Sequence, residues 1–179
     1  MKNIVLFMLM FVSFQNKMSA QLATFGVKIG GNYANFTSPQ LQTKALTSYH
    51  TGVLVELKLG KSFSIQPELL YSTQGASYDN VIEEVKAELG YISIPIMARI
   101  KLGETVSLDL GPQFSFLAFK KVDFKTDVKD LDFGAGGGLT VNITKSIFLQ
   151  GRYIAGLTEI GKNAEIKNAV GQLSVGVTF

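Results

Sequence analysis

The stretch YISIPIMARIKLGETVSLDLGPQFSF, residues 91–116, alternates apolar and other side chains on both sides of a short turn. Every second residue is apolar from Ile92 to Leu102, and again from Val106 to Phe116. Because successive side chains of a β-strand point to opposite faces, this period of two predicts two strands, each with one apolar face. The dipeptide Gly103-Glu104 between them predicts a tight hairpin turn.

The same alternation continues along the chain from Thr24 and predicts eight strands, with no competing helical period. Three connections are tight, and the other four are about ten residues or longer. Short and long connections alternate strictly, so all the long ones emerge at one end, as in outer-membrane barrels. The predicted fold is therefore all-β, a closed eight-stranded antiparallel up-and-down transmembrane β-barrel. The tight turns are Gly60-Lys61, Gly103-Glu104 and Thr144-Lys145, and the long connections are 37–48, 77–86, 120–129 and 158–168.

The first twenty residues have the pattern of a secretory signal peptide. Lys2 supplies a positive charge, residues 4–14 are apolar apart from Ser13, and the segment ends in the small residues Ser19 and Ala20. We predict a signal peptide over 1–20, cleaved before Gln21, and an outer-membrane barrel domain over 21–179. A short membrane anchor or an apolar first strand is the alternative for this segment.

Composition excludes several functional classes. The chain has no cysteine, so disulfides, thiolate metal sites and cysteine nucleophiles are absent. Removal of Lys2 and Lys17 with the signal leaves 15 of the 17 basic residues against 14 acidic ones. This near neutrality removes the electrostatic footprint of a nucleic-acid-binding protein. No cofactor is predicted.

Aromatic residues on the apolar faces predict two membrane girdles. Phe25 and Tyr33 are eight residues apart on the first strand, and Phe63 and Tyr71 repeat this spacing on the third. Eight residues of strand cover about 26 Å, or roughly 20 Å across the membrane at a tilt of about 40°. This suits the bracketing of a lipid-facing band about 25 Å tall. The predicted girdle residues are Phe25, Tyr33, Phe63, Tyr71, Phe116, Tyr153 and Phe179.

The polar faces are predicted to line the lumen. A soluble lipocalin-like barrel with its apolar faces inward is the alternative, but the polar faces hold few charges and much Gly, Ser and Gln. Buried charges persist when paired, so we interpret the charged residues as a network that plugs the lumen, with a proton or ion path as the alternative. The predicted members are Lys28, Glu56, Lys58, Glu68, Arg99, Lys101, Asp109, Asp132 and Arg152.

Three further features have both a functional and a structural interpretation. His50, the single histidine, is placed near the rim and could serve a membrane-embedded esterase together with a serine and an acid. We interpret it instead as a polar residue at a strand end. The run of Asp123, Asp127, Asp130 and Asp132 is interleaved with lysines and lacks EF-hand spacing, so a solvated loop is favoured over a calcium site. The glycines of 134–138 indicate a bend in a strand rather than a phosphate loop.

Several blocks resemble the PorT-like outer-membrane β-barrel family of Bacteroidota, itself similar to small OmpA/OmpX-like barrels. The most specific block is QPELLYSTQG at 66–75, and the resemblance covers essentially all of the chain after the signal. Pro67, Pro95 and Pro112, which fit strand interiors badly, lie inside matching blocks. The matching stretches are GVKIGGNYANF at 26–36, SFSIQPELLYSTQGASY at 62–78, YISIPIMARIKL at 91–102, LGPQFSFL at 110–117, RYIAGLTEI at 152–160 and the closing VGVTF.

The resemblance implies an eight-stranded barrel, and the member that names the family is implicated in a gliding-linked protein secretion system. The aromatic C-terminus implies recognition by the barrel-assembly machinery through the strand ending at Phe179.

We predict a non-enzymatic outer-membrane barrel with a structural or interaction role, its termini periplasmic and its long loops extracellular. Its partners would be outer-membrane lipid and an extracellular or secretion-system protein. The alternatives are a lipid-modifying enzyme using His50 and a narrow channel.

Overall fold

Eight antiparallel strands form a closed barrel in a computed structural model that describes residues 22–37, 44–79, 84–121, 131–158 and 167–179. Each strand pairs with the next along the chain, and β8 pairs with β1. The predicted eight-stranded up-and-down barrel is confirmed. No helix in the described ranges is long and apolar enough to cross a membrane. The strands are β1 Ala23–Thr37, β2 Lys44–Lys58, β3 Phe63–Asp79, β4 Glu84–Lys101, β5 Val106–Lys121, β6 Leu131–Asn142, β7 Ile147–Gly156 and β8 Lys167–Thr178.

The three tight turns lie where the sequence predicts them, at 59–62, 102–105 and 143–146. Backbone hydrogen bonds close each one, for example from the amide of Leu102 to the carbonyl of Val106 at 2.9 Å. In the third turn the hydroxyl of Thr144 accepts a further bond from the amide of Ile147 at 2.9 Å. All three turns lie at one end of the barrel because they join strands in the same up-and-down sense.

At the opposite end, the strands extend further than the sequence indicates. Residues 77–86 are predicted as a loop, yet β3 continues to Asp79, which pairs with Glu84 at the start of β4. Likewise β2 begins at Lys44, within the predicted loop 37–48. Pairing supplies the backbone hydrogen bonds that a loop would have to find elsewhere, so it prolongs the ladder without an apolar alternation to mark it. The predicted signal peptide 1–20 and the remaining parts of the long connections lie outside the described residues.

The wall presents an apolar face outward and a polar face inward. Leu69 and Leu139 are about half exposed on the outside, whereas Gln66, Ser93 and Asp109 are completely buried inside. A lipocalin-like barrel would have the reverse facing, so that alternative is wrong. With its large apolar side chains outward, the barrel is built for a lipid surround.

The three strand prolines interrupt the ladder without shifting its register. At Pro95 the β3–β4 pairing is interrupted and resumes with the same offset, passing from Pro67↔Ile96 to Leu70↔Ser93, while Pro95 stays paired with Gln113 on β5. Pro112 remains paired with Ala135 on β6. Each proline therefore removes bonds on one side of its strand only, and the neighbouring pairs hold the register.

Candidate functional site in the barrel lumen

Six ionisable side chains meet inside the barrel and form what we call the lumen charge cluster: Lys28, Glu56, Glu68, Arg99, Asp109 and Arg152. All six are buried, and three basic groups face three acidic ones. They come from β1, β2, β3, β4, β5 and β7. A buried cluster is tolerated when its charges are paired and its hydrogen bonds are made, and this balance meets that condition.

One half of the cluster is a forked pair between adjacent strands. Arg99 and Asp109 are cross-strand partners on β4 and β5. The Nε of Arg99 donates to Oδ1 of Asp109 at 2.8 Å, and Nη2 donates to Oδ2 at 3.1 Å. A third guanidinium nitrogen, Nη1, lies 3.3 Å from Oε2 of Glu56. The planar guanidinium suits this bidentate geometry, which a lysine could not reproduce.

The other half is centred on Glu68. Its Oε2 lies 2.7 Å from Nζ of Lys28, and Arg152 donates to both carboxylate oxygens at 2.7 and 3.0 Å. The amide of Gln66 adds a bond to Oε1 at 2.7 Å. Because β3 pairs with neither β1 nor β7, the bonds from Lys28 and Arg152 brace the barrel across its interior rather than along the wall.

Two neutral side chains join the halves. Gln150 accepts from Lys28 through Oε1 at 2.8 Å and donates through Nε2 to Asp109 at 2.8 Å. The hydroxyl of Thr140 donates to the same Asp109 oxygen at 2.6 Å. Thr140 adds β6 to the six strands of the cluster, so one continuous network reaches seven of the eight strands.

The structure brings together six of the nine residues predicted for the lumen. Lys58 and Lys101 lie at the tight-turn ends of β2 and β4, and Lys101 is exposed. Asp132 lies near the opposite end, where it accepts a bond from the hydroxyl of Thr158 at 2.6 Å. Alternation assigns these three to the lumen-facing positions of their strands, but their depth along the barrel separates them from the cluster.

His50 is predicted at the rim, and this placement is wrong: the side chain is completely buried in the lumen. Its Nδ1 lies 2.7 Å from Oδ1 of Asn32, and its Nε2 lies 2.7 Å from the hydroxyl of Ser174. The amide nitrogen of Asn32 donates to the carbonyl of Thr73 at 2.7 Å, which leaves Oδ1 as the acceptor. Nδ1 of His50 therefore carries the proton, and Nε2 accepts from Ser174.

Ser174, His50 and Asn32 stand in the order of a serine nucleophile, its base and the group that orients the base. Access is missing, because the three side chains are at most 2% exposed. Ser174 also lies within β8, paired with Gly30 on one side and Gln150 on the other, so the nearby backbone amides serve the ladder. An acyl substrate would need both a path to the hydroxyl and amides free to hold its oxyanion.

The predicted girdle residues all lie on the outward face. Phe25, Phe63 and Phe179 lie towards the tight-turn end, and the other four lie towards the opposite end. Tyr49 joins the second group, half exposed and with its ring centre 6.3 Å from that of Tyr71. The sequence analysis does not include Tyr49 among the girdle residues, because Tyr49 follows the predicted connection 37–48 directly and precedes the apolar alternation of β2.

The sequence analysis names no neutral partner in the lumen network, whereas the structure has several, among them Asn32, Thr140, Gln150 and Ser174. All four lie on the polar faces that the alternation predicts to line the lumen, so their inward direction follows from the sequence. Their partners could not, since those depend on which strands meet across the interior.

Comparison with known proteins agrees with this architecture. Residues 15–161 match the family described as outer membrane protein beta-barrel domain. No curated protein sequence gives a significant match to the chain.

Solved structures with the same fold come from several bacteria. Neisserial surface protein A is similar with a TM-score of 0.62 at 12% identity, over 88% of this chain and 99% of that one. Ail, the attachment invasion locus protein of Yersinia pestis, has a TM-score of 0.59 at 12% identity, with the same coverage. OprG of Pseudomonas aeruginosa has a TM-score of 0.53 at 9% identity, over 88% and 96%. The chain therefore belongs to the outer membrane protein beta-barrel domain family and is a small barrel of the bacterial outer membrane.

Proposed function

We propose that this protein is a non-enzymatic barrel with a structural or interaction role, whose wall carries outer loops and whose lumen is closed. The observation that carries the proposal is the lumen charge cluster, with three basic and three acidic groups in one buried network. Side chains fill the interior of an eight-stranded barrel, and here they are held by bonds that cross it. Contacts with other molecules would then use the outer surface.

The two alternative functions gain less support. A lipid-modifying enzyme would need substrate access to Ser174, which is buried beside His50. A channel would need a continuous water path past Glu68 and Asp109, whose oxygens are occupied by bonds to other side chains. Neither arrangement leaves a mobile group free to perform the alternative role.

A closed lumen predicts electrical silence. The purified barrel inserted in planar bilayers should show no steady conductance steps at moderate voltage, because the network blocks ion movement along the axis. Insertion is checked in the same preparation by the change in gel mobility on boiling. Reproducible ohmic steps from the wild-type protein would contradict the closed lumen and favour the channel.

A link to protein secretion is the finer part of the proposal, and it rests on the resemblance of 66–75 to PorT-like proteins. Two residues of that block, Gln66 and Glu68, are bonded to each other inside the lumen. The block thus serves barrel construction, and a secretion partner would meet the loops instead. Ail, a barrel of similar size, has been solved with the heparin analogue sucrose octasulfate. That complex supports the idea that such barrels can hold ligands.

We further propose periplasmic termini, and recognition of the C-terminal strand by the barrel-assembly machinery. The amide of Phe179 bonds to the carbonyl of Phe25 at 2.9 Å, so the last residue closes the wall beside the first strand. Its side chain is 77% exposed on the lipid face. The barrel-assembly machinery would therefore bind this aromatic residue before β8 pairs with β1.

The orientation predicts opposite labelling of the two ends. Because the chain has no cysteine, single cysteines can be introduced at Asp79, near the β3–β4 connection, and at Lys145, in a tight turn. A membrane-impermeant maleimide added to intact cells should label Asp79→Cys and spare Lys145→Cys. Both should react after lysis. Labelling of only the tight-turn variant in intact cells would show that the barrel has the opposite orientation.

A further inference from the structure

We propose that His50 locks the seam between β1 and β8, the one strand pairing in this barrel whose partners come from opposite ends of the chain. His50 lies on β2, yet its Nε2 accepts the hydroxyl of Ser174 on β8 at 2.7 Å. The bond therefore spans β1, the strand between them. We call His50, Gly30, Asn32, Gln172 and Ser174 the seam latch.

Gly30 makes this span possible. It is paired with His50 on β2 and with Ser174 on β8, so it lies directly under the imidazole. A Cβ atom at this position would stand 2.7 Å from Cε1 of His50 and 2.7 Å from Cα of Ser174. It would also overlap the carbonyl oxygen of Leu173. Glycine is therefore required here, since the missing side chain leaves the path by which the ring crosses the strand.

Asn32 provides a second bond across the seam. Its Oδ1 accepts from Nδ1 of His50 and also from Nε2 of Gln172 on β8, the latter at 3.1 Å. Its amide nitrogen is anchored to β3 through the carbonyl of Thr73 at 2.7 Å and the hydroxyl of Ser72 at 3.0 Å. The hydrogen bonds of the latch thus connect β8 with β1, β2 and β3.

These bonds favour the closed seam specifically. Every other pair of neighbouring strands is consecutive in the chain, whereas β1 and β8 are brought together only by closure. If β8 separates from β1, Ser174 and Gln172 move away while the contacts of Asn32 with β2 and β3 can persist. Interactions made in one of two states shift the equilibrium toward that state. The latch therefore opposes lateral opening of the lumen toward lipid, independently of whether the lumen conducts.

Hydrogen exchange of the refolded, full-length barrel tests the latch. Ser174→Ala should speed backbone exchange in β1 and β8 by roughly two- to tenfold, the range expected for one lost hydrogen bond. Ser115→Ala is the matched control, because it removes the buried hydroxyl pair with Ser93 on β4 and β5, at 2.9 Å, away from the seam. The control should leave exchange at the seam unchanged. Equal exchange at the seam in both variants would overturn the proposal.

A disulfide across the seam supplies an independent readout. Val27 and Val177 are cross-strand partners with side chains about 40% exposed on the lipid face, clear of the latch. Antiparallel partners lie within the Cα separation that a disulfide accepts. Cysteines at both positions, once oxidised, should return the Ser174→Ala seam exchange to the wild-type rate. Failure of the oxidised disulfide to slow that exchange would show that Ser174 acts elsewhere than at the seam.

Discussion

Replacement of Ile96 by arginine is expected to lower the unfolding free energy of the membrane-inserted barrel by about 2–4 kcal/mol, the cost of a cationic side chain at the bilayer midplane. Ile96 is 40% exposed on the outward face and lies opposite Pro67. On β3, Pro67 is midway between the girdle residues Phe63 and Tyr71. The arginine would therefore enter the lipid at the greatest distance from either interface.

Leu102→Arg is the control for this variant, because Leu102 is more exposed but lies in a tight turn at the membrane edge. Near the interface the cost of arginine falls to about 0–1 kcal/mol. Urea titration of both variants in lipid vesicles measures the difference in unfolding free energy. Gel mobility or tyrosine fluorescence reports unfolding, since the chain has no tryptophan. A larger loss for Leu102→Arg would mean that the girdles do not mark the membrane borders.

Much of the fold can be predicted from the sequence, because side chains along each barrel strand alternate between the lipid and the lumen with the same period of two residues that the sequence shows. Ile92, Ile94 and Ile96 predict an outward face, and the structure turns their neighbours Ser93 and Met97 inward and buries them. The strand ends at the long-connection end of the barrel cannot be predicted from this alternation. Around Asp79 and Glu84 the sequence loses its apolar alternation, although backbone pairing continues and needs no particular side chain.

The same alternation predicts which residues face the lumen, but not which of them touch. Alternation identifies Lys28, Glu68 and Arg152 as inward residues, but they lie far apart in sequence, and contact depends on barrel stagger. His50 shows the limit most clearly. Its position beyond the apolar alternation of β2 predicts the rim, whereas the space over Gly30 lets the ring lie in the interior.

Glu68→Gln is expected to destabilise the barrel by about 3–5 kcal/mol, the usual cost of removing one partner from a buried ion pair. The reason is that Glu68 is the carboxylate shared by Lys28 and Arg152, all with side chains wholly buried. Loss of its charge leaves three basic groups against two acidic ones in the lumen charge cluster. Equilibrium unfolding in vesicles measures the change, and the size of the side chain is almost unaltered.

The double variant Glu68→Gln, Lys28→Met separates charge imbalance from loss of packing. It restores two basic and two acidic groups, and the new amide oxygen can still accept from Arg152. If balance within the network is what stabilises the lumen, the double variant should recover at least about half of the lost stability, because coupled neighbours do not add. A double variant less stable than Glu68→Gln alone would show that Lys28 stabilises the barrel through its bond to Gln150, at 2.8 Å, rather than by balancing Glu68.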